Sequence, residues 1–275
     1  MVQQPRRWKD ISWEEMAQEN PLFAVMTTDA MAEAPSTDFT PEQREELFRK
    51  GRKLFSRHLA KQLTKRVQPP EAWLVAEYGC GVGRILNAAI EAGYRCAGID
   101  ISPTMLEHCR RLVPGVEALY ALDEDGRCGM PSESVRVMFS FAVVQHIASL
   151  KNFKTAFDEM CRIVVPGGAL TVQVNCKDFE GGDLDAPERT ENHEDYSLHF
   201  RPGESEPYLR HDQNQWSGVY IGHQLMTDML TERGMVMKGW RYHSPDKPLS
   251  VWLVARKPKR GEASPPPLGA PEPSC

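Results

Sequence analysis

The 275-residue sequence has no apolar run near the roughly 18 residues of a membrane-spanning helix. Its first ten residues are polar and lack the apolar stretch of a secretory signal. No C-x-x-C pair occurs, and the 7 cysteines are odd in number. Most of them sit in apolar runs, as free thiols do, so a reducing, cytoplasmic compartment is expected instead of a disulfide framework. Positive charge is not in excess: 33 Lys+Arg against 38 Asp+Glu leave a net −5. The whole-chain electrostatic footprint of a nucleic-acid binder is therefore missing. His193, His199, His211 and His223 are too widely spaced, and too mixed with carboxylates, to spell a metal site. Internal repeats are absent, and nothing in the pattern specifies an oligomer. What remains is ordinary globular composition, 41% hydrophobic and 26% charged, enough for a sizeable core. The length fits one large α/β domain with an elaboration, or a domain with a small cap.

Residues 1–69 read as an N-terminal helical cap. Trp13–Met26 predicts a short helix interrupted at Pro21, and Ala30–Phe39 a loop. Thr40-Pro41 supplies an N-cap and a proline at the first helical position. The helix that follows, to Val67, has Leu47, Leu54, Phe55, Leu59 and Leu63 near helical period. Its basic residues, from Arg44 to Arg66, form a face read as solvated surface, with an RNA or phosphate contact as the alternative.

From residue 72 the rhythm changes. Strands are predicted over 73–78, 95–101, 116–122, 135–143 and 169–175. Helices fall between them over 85–92, 103–113 and 152–164, with a turn at Pro166-Gly167-Gly168. Such alternation means βαβ units and a parallel sheet. Residues 176–223 break the pattern as a long polar insertion, a length that is often functional. A helix over 224–233 and a closing strand pair, 235–242 and 249–256, complete the core at 70–257. Residues 258–275 hold six prolines and read as a disordered tail.

The informative segment is Glu77-Tyr78-Gly79-Cys80-Gly81-Val82-Gly83-Arg84, between a strand and a helix. Glycines let the backbone turn sharply and approach a ligand, and the helix start offers unpaired N–H groups. Asp100 ends the next strand, placed to accept hydrogen bonds from ribose hydroxyls. Two cofactor classes compete. The dinucleotide fingerprint is G-x-G-x-x-G; here the spacing is G-x-G-x-G. Glu77 would repel a pyrophosphate but suits an ammonium, which favours S-adenosylmethionine over NAD.

These residues resemble the class I S-adenosylmethionine-dependent methyltransferases over roughly 70–257. The resemblance rests on Glu77–Gly83, Gly98–Ser102 with Met105-Leu106, Ser140–Ile147 and Pro166–Gly168. Ser140–Ile147 and Trp216-Ser217-Gly218 are similar to segments of bacterial small-molecule methyltransferases. The resemblance implies an α/β, Rossmann-like, seven-stranded, mostly parallel sheet with helices on both faces and an antiparallel last strand. It implies S-adenosylmethionine as cofactor, with S-adenosylhomocysteine as product. Carried over by position, the cofactor residues are Glu77, Gly79, Cys80, Gly81, Gly83, Arg84, Asp100, Ile101, Met105, Asp123, Phe141 and Gln145. In the family the glycine turn surrounds the methionine end, the acid after strand two holds the ribose, and the loop after strand four lies beside the methyl. Asp123 is the first choice among the acids of the adenine loop. Arg136 is a departure, since the family commonly has an acid at the start of strand four.

Methyl transfer needs alignment and exclusion of water, and a hydroxyl acceptor must also lose a proton. His146 follows strand four and is the candidate base, with a helix-capping role as its structural alternative. Trp216 and Tyr220 are candidate substrate contacts, with core packing as theirs. Strand four lacks both the Asn/Asp-Pro-Pro-Tyr/Phe sequence of adenine-amino methyltransferases and a cysteine nucleophile. The expected acceptor is a small molecule, through a hydroxyl or else an amine. An RNA or protein acceptor, a non-catalytic binding module and an NAD(P) oxidoreductase stand as rivals.

Overall fold

The computed structural model describes residues 13–26, 37–65, 73–147, 150–176, 189–192, 196–200, 210–212, 215–217, 220–221, 223–244 and 247–262. The chain divides into two compact units, Met1–Gly129 with Tyr208–Ser217, and Met130–Pro207 with Gly218–Cys275.

The first unit begins with the short helices α1 (Trp13–Glu19) and α2 (Pro21–Met26), broken at Pro21 as expected. The long helix α3 (Pro41–Leu54) starts on a capping box, in which Thr40 Oγ1 accepts from Gln43 N–H and the Gln43 side chain accepts from Thr40 N–H. It passes through a single π-helical turn, Phe55–Leu59, into α4 (Ala60–Thr64). That inserted turn keeps Phe55, Leu59 and Leu63 buried on one side. Much of the basic face is paired internally. Arg49 bonds Glu46, Arg52 reaches Glu45 and Glu91, and Arg44 donates to the Leu112 carbonyl.

Strands β1 (Leu74–Tyr78), β2 (Arg95–Asp100) and β3 (Ala118–Ala121) lie parallel, with β2 in the middle. The near-continuous burial of β1 and β2 is what strands covered on both faces require. Helices α5 (Arg84–Glu91) and α6 (Pro103–Leu112) make the crossovers. Helix α3 meets α5 so closely that a Cβ on Gly51 would sit 2.0 Å from the Arg84 carbonyl oxygen. A hairpin of β8 (Arg210–Asp212) and β9 (Gln215–Ser217) belongs to the same unit.

In the second unit β4 (Val135–Ser140) is parallel to β5 (Val164–Cys176). The two are joined by a 3-10 turn, Val144–His146, and by α7 (Leu150–Ile163), which buries Phe153, Phe157 and Met160. On its other edge β5 takes β12 (Lys247–Arg256), antiparallel, and β12 takes β11 (Val236–Ser244). Helix α8 (His223–Glu232) precedes that pair. Strand β4 ends at Ser140 and not at 143, because Ala142 has φ +55°, outside any strand conformation. The Pro166–Gly168 turn lies inside β5 as a bulge. Val135 pairs Val164, Val137 pairs Ala169, and Gly167 at φ +79° absorbs the extra length.

The polar insertion is not wholly irregular. It contains β6 (Arg189–Asn192), β7 (Tyr196–Phe200) and β10 (Tyr220–Ile221). Strand β10 runs parallel to the last two residues of β5 and antiparallel to β7, which pairs β6. Most of the tail read as disordered, from residue 263 on, lies outside the described residues. The two parallel sets, β1–β3 and β4–β5, with the closing antiparallel pair, supply the seven strands of a Rossmann-like α/β fold. No helix among the described residues is long and apolar enough to cross a membrane.

Candidate active site

The turn between β1 and α5 is made by three glycines in the left-handed region, with φ +74° at Gly79, +50° at Gly81 and +83° at Gly83. Only glycine takes that conformation without a steric cost. Gly79 and Cys80 donate to the Ile99 carbonyl, at 2.7 and 3.0 Å, and Gly83 donates to that of Cys80. The Cys80 side chain points into the core, where Gly98 makes room for its sulfur.

Glu77 is buried at the end of β1. It accepts a hydrogen bond from the Leu86 N–H in the first turn of α5, so a carboxylate from the strand caps the helix. Burial pushes its carboxyl well above the usual carboxylate range, and the Arg84 guanidinium opposes that shift. Glu77 Oε2 is buried with no hydrogen-bond partner among the described residues. An acceptor in that condition fits a ligand that brings a positively charged donor.

Asp100 closes the other side of the turn. Its Oδ2 accepts from Gly81 N–H at 2.7 Å and its Oδ1 from Ser102 N–H at 2.9 Å. Burial raises its pKa while these backbone bonds lower it. The Ile101 N–H also bonds this carboxylate, so about one of its roughly four lone pairs is left for a hydroxyl donor. Ile101, the next residue, is 57% exposed, an unusual position for an apolar side chain and one suited to a nucleobase face. Met105 is buried in α6, with its N–H donating to Ser102 Oγ. Asp123 Oδ1 accepts from the N–H groups of Asp125 and Arg127, at 3.0 and 2.8 Å, so it organises its own turn.

Two contacts here had no sequence signal. Glu14 of α1 accepts from Ser102 Oγ at 2.6 Å, Thr104 Oγ1 at 2.5 Å and Thr104 N–H at 3.3 Å. Val25 of α2 lies where a Gly81 Cβ would come within 2.9 Å of its Cγ1. A continuous hydrogen-bonded path thus runs from α1 through Ser102 and Asp100 to Gly81.

The loop after β4 carries the second set of expected residues. Phe141 stacks on Trp252 at 5.6 Å with planes 9° apart. Gln145 is buried, and its Oε1 has no partner among the described residues. The His146 ring donates to the Ala142 carbonyl, and burial brings its pKa down to about 4. Trp216 and Tyr220 lie on β9 and β10, and their side chains fall outside the described residues.

The left-handed glycine turn and the two carboxylates lie at the carboxyl ends of β1 and β2, the edge at which open α/β sheets of the Rossmann-like class bind ligands. Residues 76–172 match the family model described as a methyltransferase domain. An uncharacterized methyltransferase of Schizosaccharomyces pombe is 33% identical over 95 residues, 32% of this chain and 34% of that protein. The chain thus spans about a third of the length of that curated relative. A solved S-adenosylmethionine-dependent methyltransferase of Methanosarcina mazei has a TM-score of 0.54 at 16% identity, covering 74% of this chain and 99% of that one. One from Clostridium acetobutylicum also scores 0.54, at 11% identity, covering 75% and 92%; both likenesses bear on the fold. Residues 76–172 are thus matched as a methyltransferase domain, in a chain whose fold is that of S-adenosylmethionine-dependent methyltransferases.

Proposed function

We propose that this protein transfers the methyl group of S-adenosylmethionine to a hydroxyl of a small molecule by in-line displacement. The observation that carries the cofactor assignment is the buried Glu77 Oε2, unpartnered among the described residues, beside a turn built for close approach. It fits the ammonium of an amino-acid nucleoside and opposes a pyrophosphate. Arg84, at the start of α5, suits the cofactor's carboxylate, Asp100 its ribose and Ile101 its adenine. When bound, the cofactor supplies a methyl group on a sulfonium, with a neutral leaving group.

The chain's own task is to align the acceptor and receive its proton. His146 is the assigned base. With a pKa about 4 it is neutral at physiological pH, so its lone pair needs no prior deprotonation. Its low basicity suffices because a hydroxyl becomes strongly acidic as its oxygen gains the methyl. That same low basicity favours, as a second reading, an amine that arrives already neutral.

Calorimetry with S-adenosylhomocysteine and NAD tests the cofactor half, with binding of the first alone as the expected result. NAD binding without S-adenosylhomocysteine binding overturns it. Labelled-methyl transfer to matched panels of small hydroxyl and amine acceptors tests the other half. Labelled ether products are expected, and products confined to amines would move the assignment to the second reading.

A further inference from the structure

Ala142 is one of two non-glycine residues with positive φ among the described residues, at +55°. A residue with a Cβ pays a steric cost there, and such strain persists only where surrounding groups enforce it. The enforcing group is Gln173 of β5. Its Oε1 accepts the Ala142 N–H at 2.8 Å, and its Nε2 donates to Ser250 Oγ of β12 at 2.5 Å. Gln173 and Ser250 are both buried. Gln173 pairs directly with Trp252 across the β5–β12 ladder, so their side chains share a face, and Ser250, two residues before Trp252, shares it too. Trp252 stacks on Phe141. Two consecutive residues of the β4 loop are therefore gripped from one face, one by stacking and the next by a hydrogen bond. The Ala142 carbonyl in turn receives the His146 ring.

We propose that Gln173, oriented by Ser250, is a positioning residue for methyl transfer: it holds Ala142 in the left-handed conformation that sets Phe141, Gln145 and His146. This rests on the reading of the β4 loop as part of the methyl-transfer site. Gln173 itself touches no reacting atom; it acts through the backbone of residue 142.

The test is a mutant cycle of wild type, Gln173→Leu, Ala142→Gly and the double variant. It uses S-adenosylhomocysteine calorimetry and the NMR signals of the His146 ring. Gln173→Leu is expected to weaken S-adenosylhomocysteine binding about tenfold, equivalent to about 1.4 kcal/mol, and to shift the ring signals. Ala142→Gly adopts the same φ without strain. The double variant is therefore expected to return to within about twofold of Ala142→Gly, since glycine no longer has to be held. A side chain needed only for packing would not be rescued in this way, so a double variant as weak as Gln173→Leu overturns the proposal. Should Gln173→Leu not fold, Ser250→Ala leaves the acceptor oxygen without its orienting partner. A smaller loss, again rescued by Ala142→Gly, is expected, and no loss or no rescue overturns the proposal. Failure of the wild type to bind S-adenosylhomocysteine would instead overturn the reading beneath it.

Discussion

The glycine turn after β1 and the loop after β4 use the same backbone conformation by opposite means. In the turn, Gly79, Gly81 and Gly83 reach positive φ with no Cβ to oppose it, and main-chain groups with Asp100 hold them. In the loop, Ala142 reaches positive φ against its own Cβ and is held by side chains from β5 and β12. The first is secured by local composition, the second by tertiary contact. It follows that the turn should fail on adding atoms to it, and the loop on removing its support.

Gly81→Val gives the largest expected effect. Its Cβ would come within 2.9 Å of Val25 Cγ1 at an unfavourable φ. Clash and strain together should weaken S-adenosylhomocysteine binding at least about 100-fold, with far-UV circular dichroism unchanged. Near-normal calorimetric affinity would remove the turn from the ligand site.

Glu77→Gln comes next and separates binding from folding. Loss of the ammonium partner should cost about thirtyfold in S-adenosylhomocysteine affinity. The ligand-free protein should gain stability. Because burial raises the folded pKa of Glu77 above its unfolded value, its contribution is fully present below the unfolded pKa and is lost as pH rises through the folded one. The glutamine escapes that loss, so a Tm about 2–4 °C above wild type is expected at pH 8, vanishing near pH 4. A lower Tm at pH 8 would contradict the assigned burial cost.

Glu14→Ala removes support from outside the turn, as Gln173→Leu does for the loop. Through Ser102 and Asp100 it should raise the S-adenosylhomocysteine dissociation constant about fivefold, with Thr104→Val milder. An unchanged constant would make α1 a bystander to the cradle.

The last prediction concerns the protonation of His146. Its folded pKa, about 4, lies below the ordinary value of 6.5. The neutral ring contributes stability above the unfolded pKa, and that contribution is lost as pH falls toward 4. NMR titration should place the ring's midpoint near 4, and a midpoint near 6.5 would mean the ring is solvated.

What could be read from the sequence follows the same division. Glu77, the glycines and Asp100 announce themselves because turn chemistry and helix capping are local. The strand boundaries around them are correspondingly close. Ala142 does not: it lies in the apolar run Phe141–Val144, which reads as a continuing strand, whereas β4 ends three residues short of 143. Glu14 sits in a helix with no periodic clue to its partners 88 and 90 positions away. Gln173 did leave a trace: Thr171, Gln173 and Asn175 alternate through an otherwise apolar strand, and all three are buried. Polar side chains at period two in a covered strand signal a network to be satisfied. The Pro166–Gly168 bulge was legible as a break, but only the ladder shows that one strand continues through it.

Strand β5 outlasts β4. Ser140 is the last β4 residue to pair with it, opposite Val172, yet β5 runs on to Cys176, and β10 takes up the vacated edge at Asn175 and Cys176. That overhang is a main-chain template, indifferent to the side chains of whatever pairs with it. Side-chain substitutions at Tyr220 and Ile221 should therefore leave the anchorage at Asn175 and Cys176 in register, because it is made by main-chain groups alone.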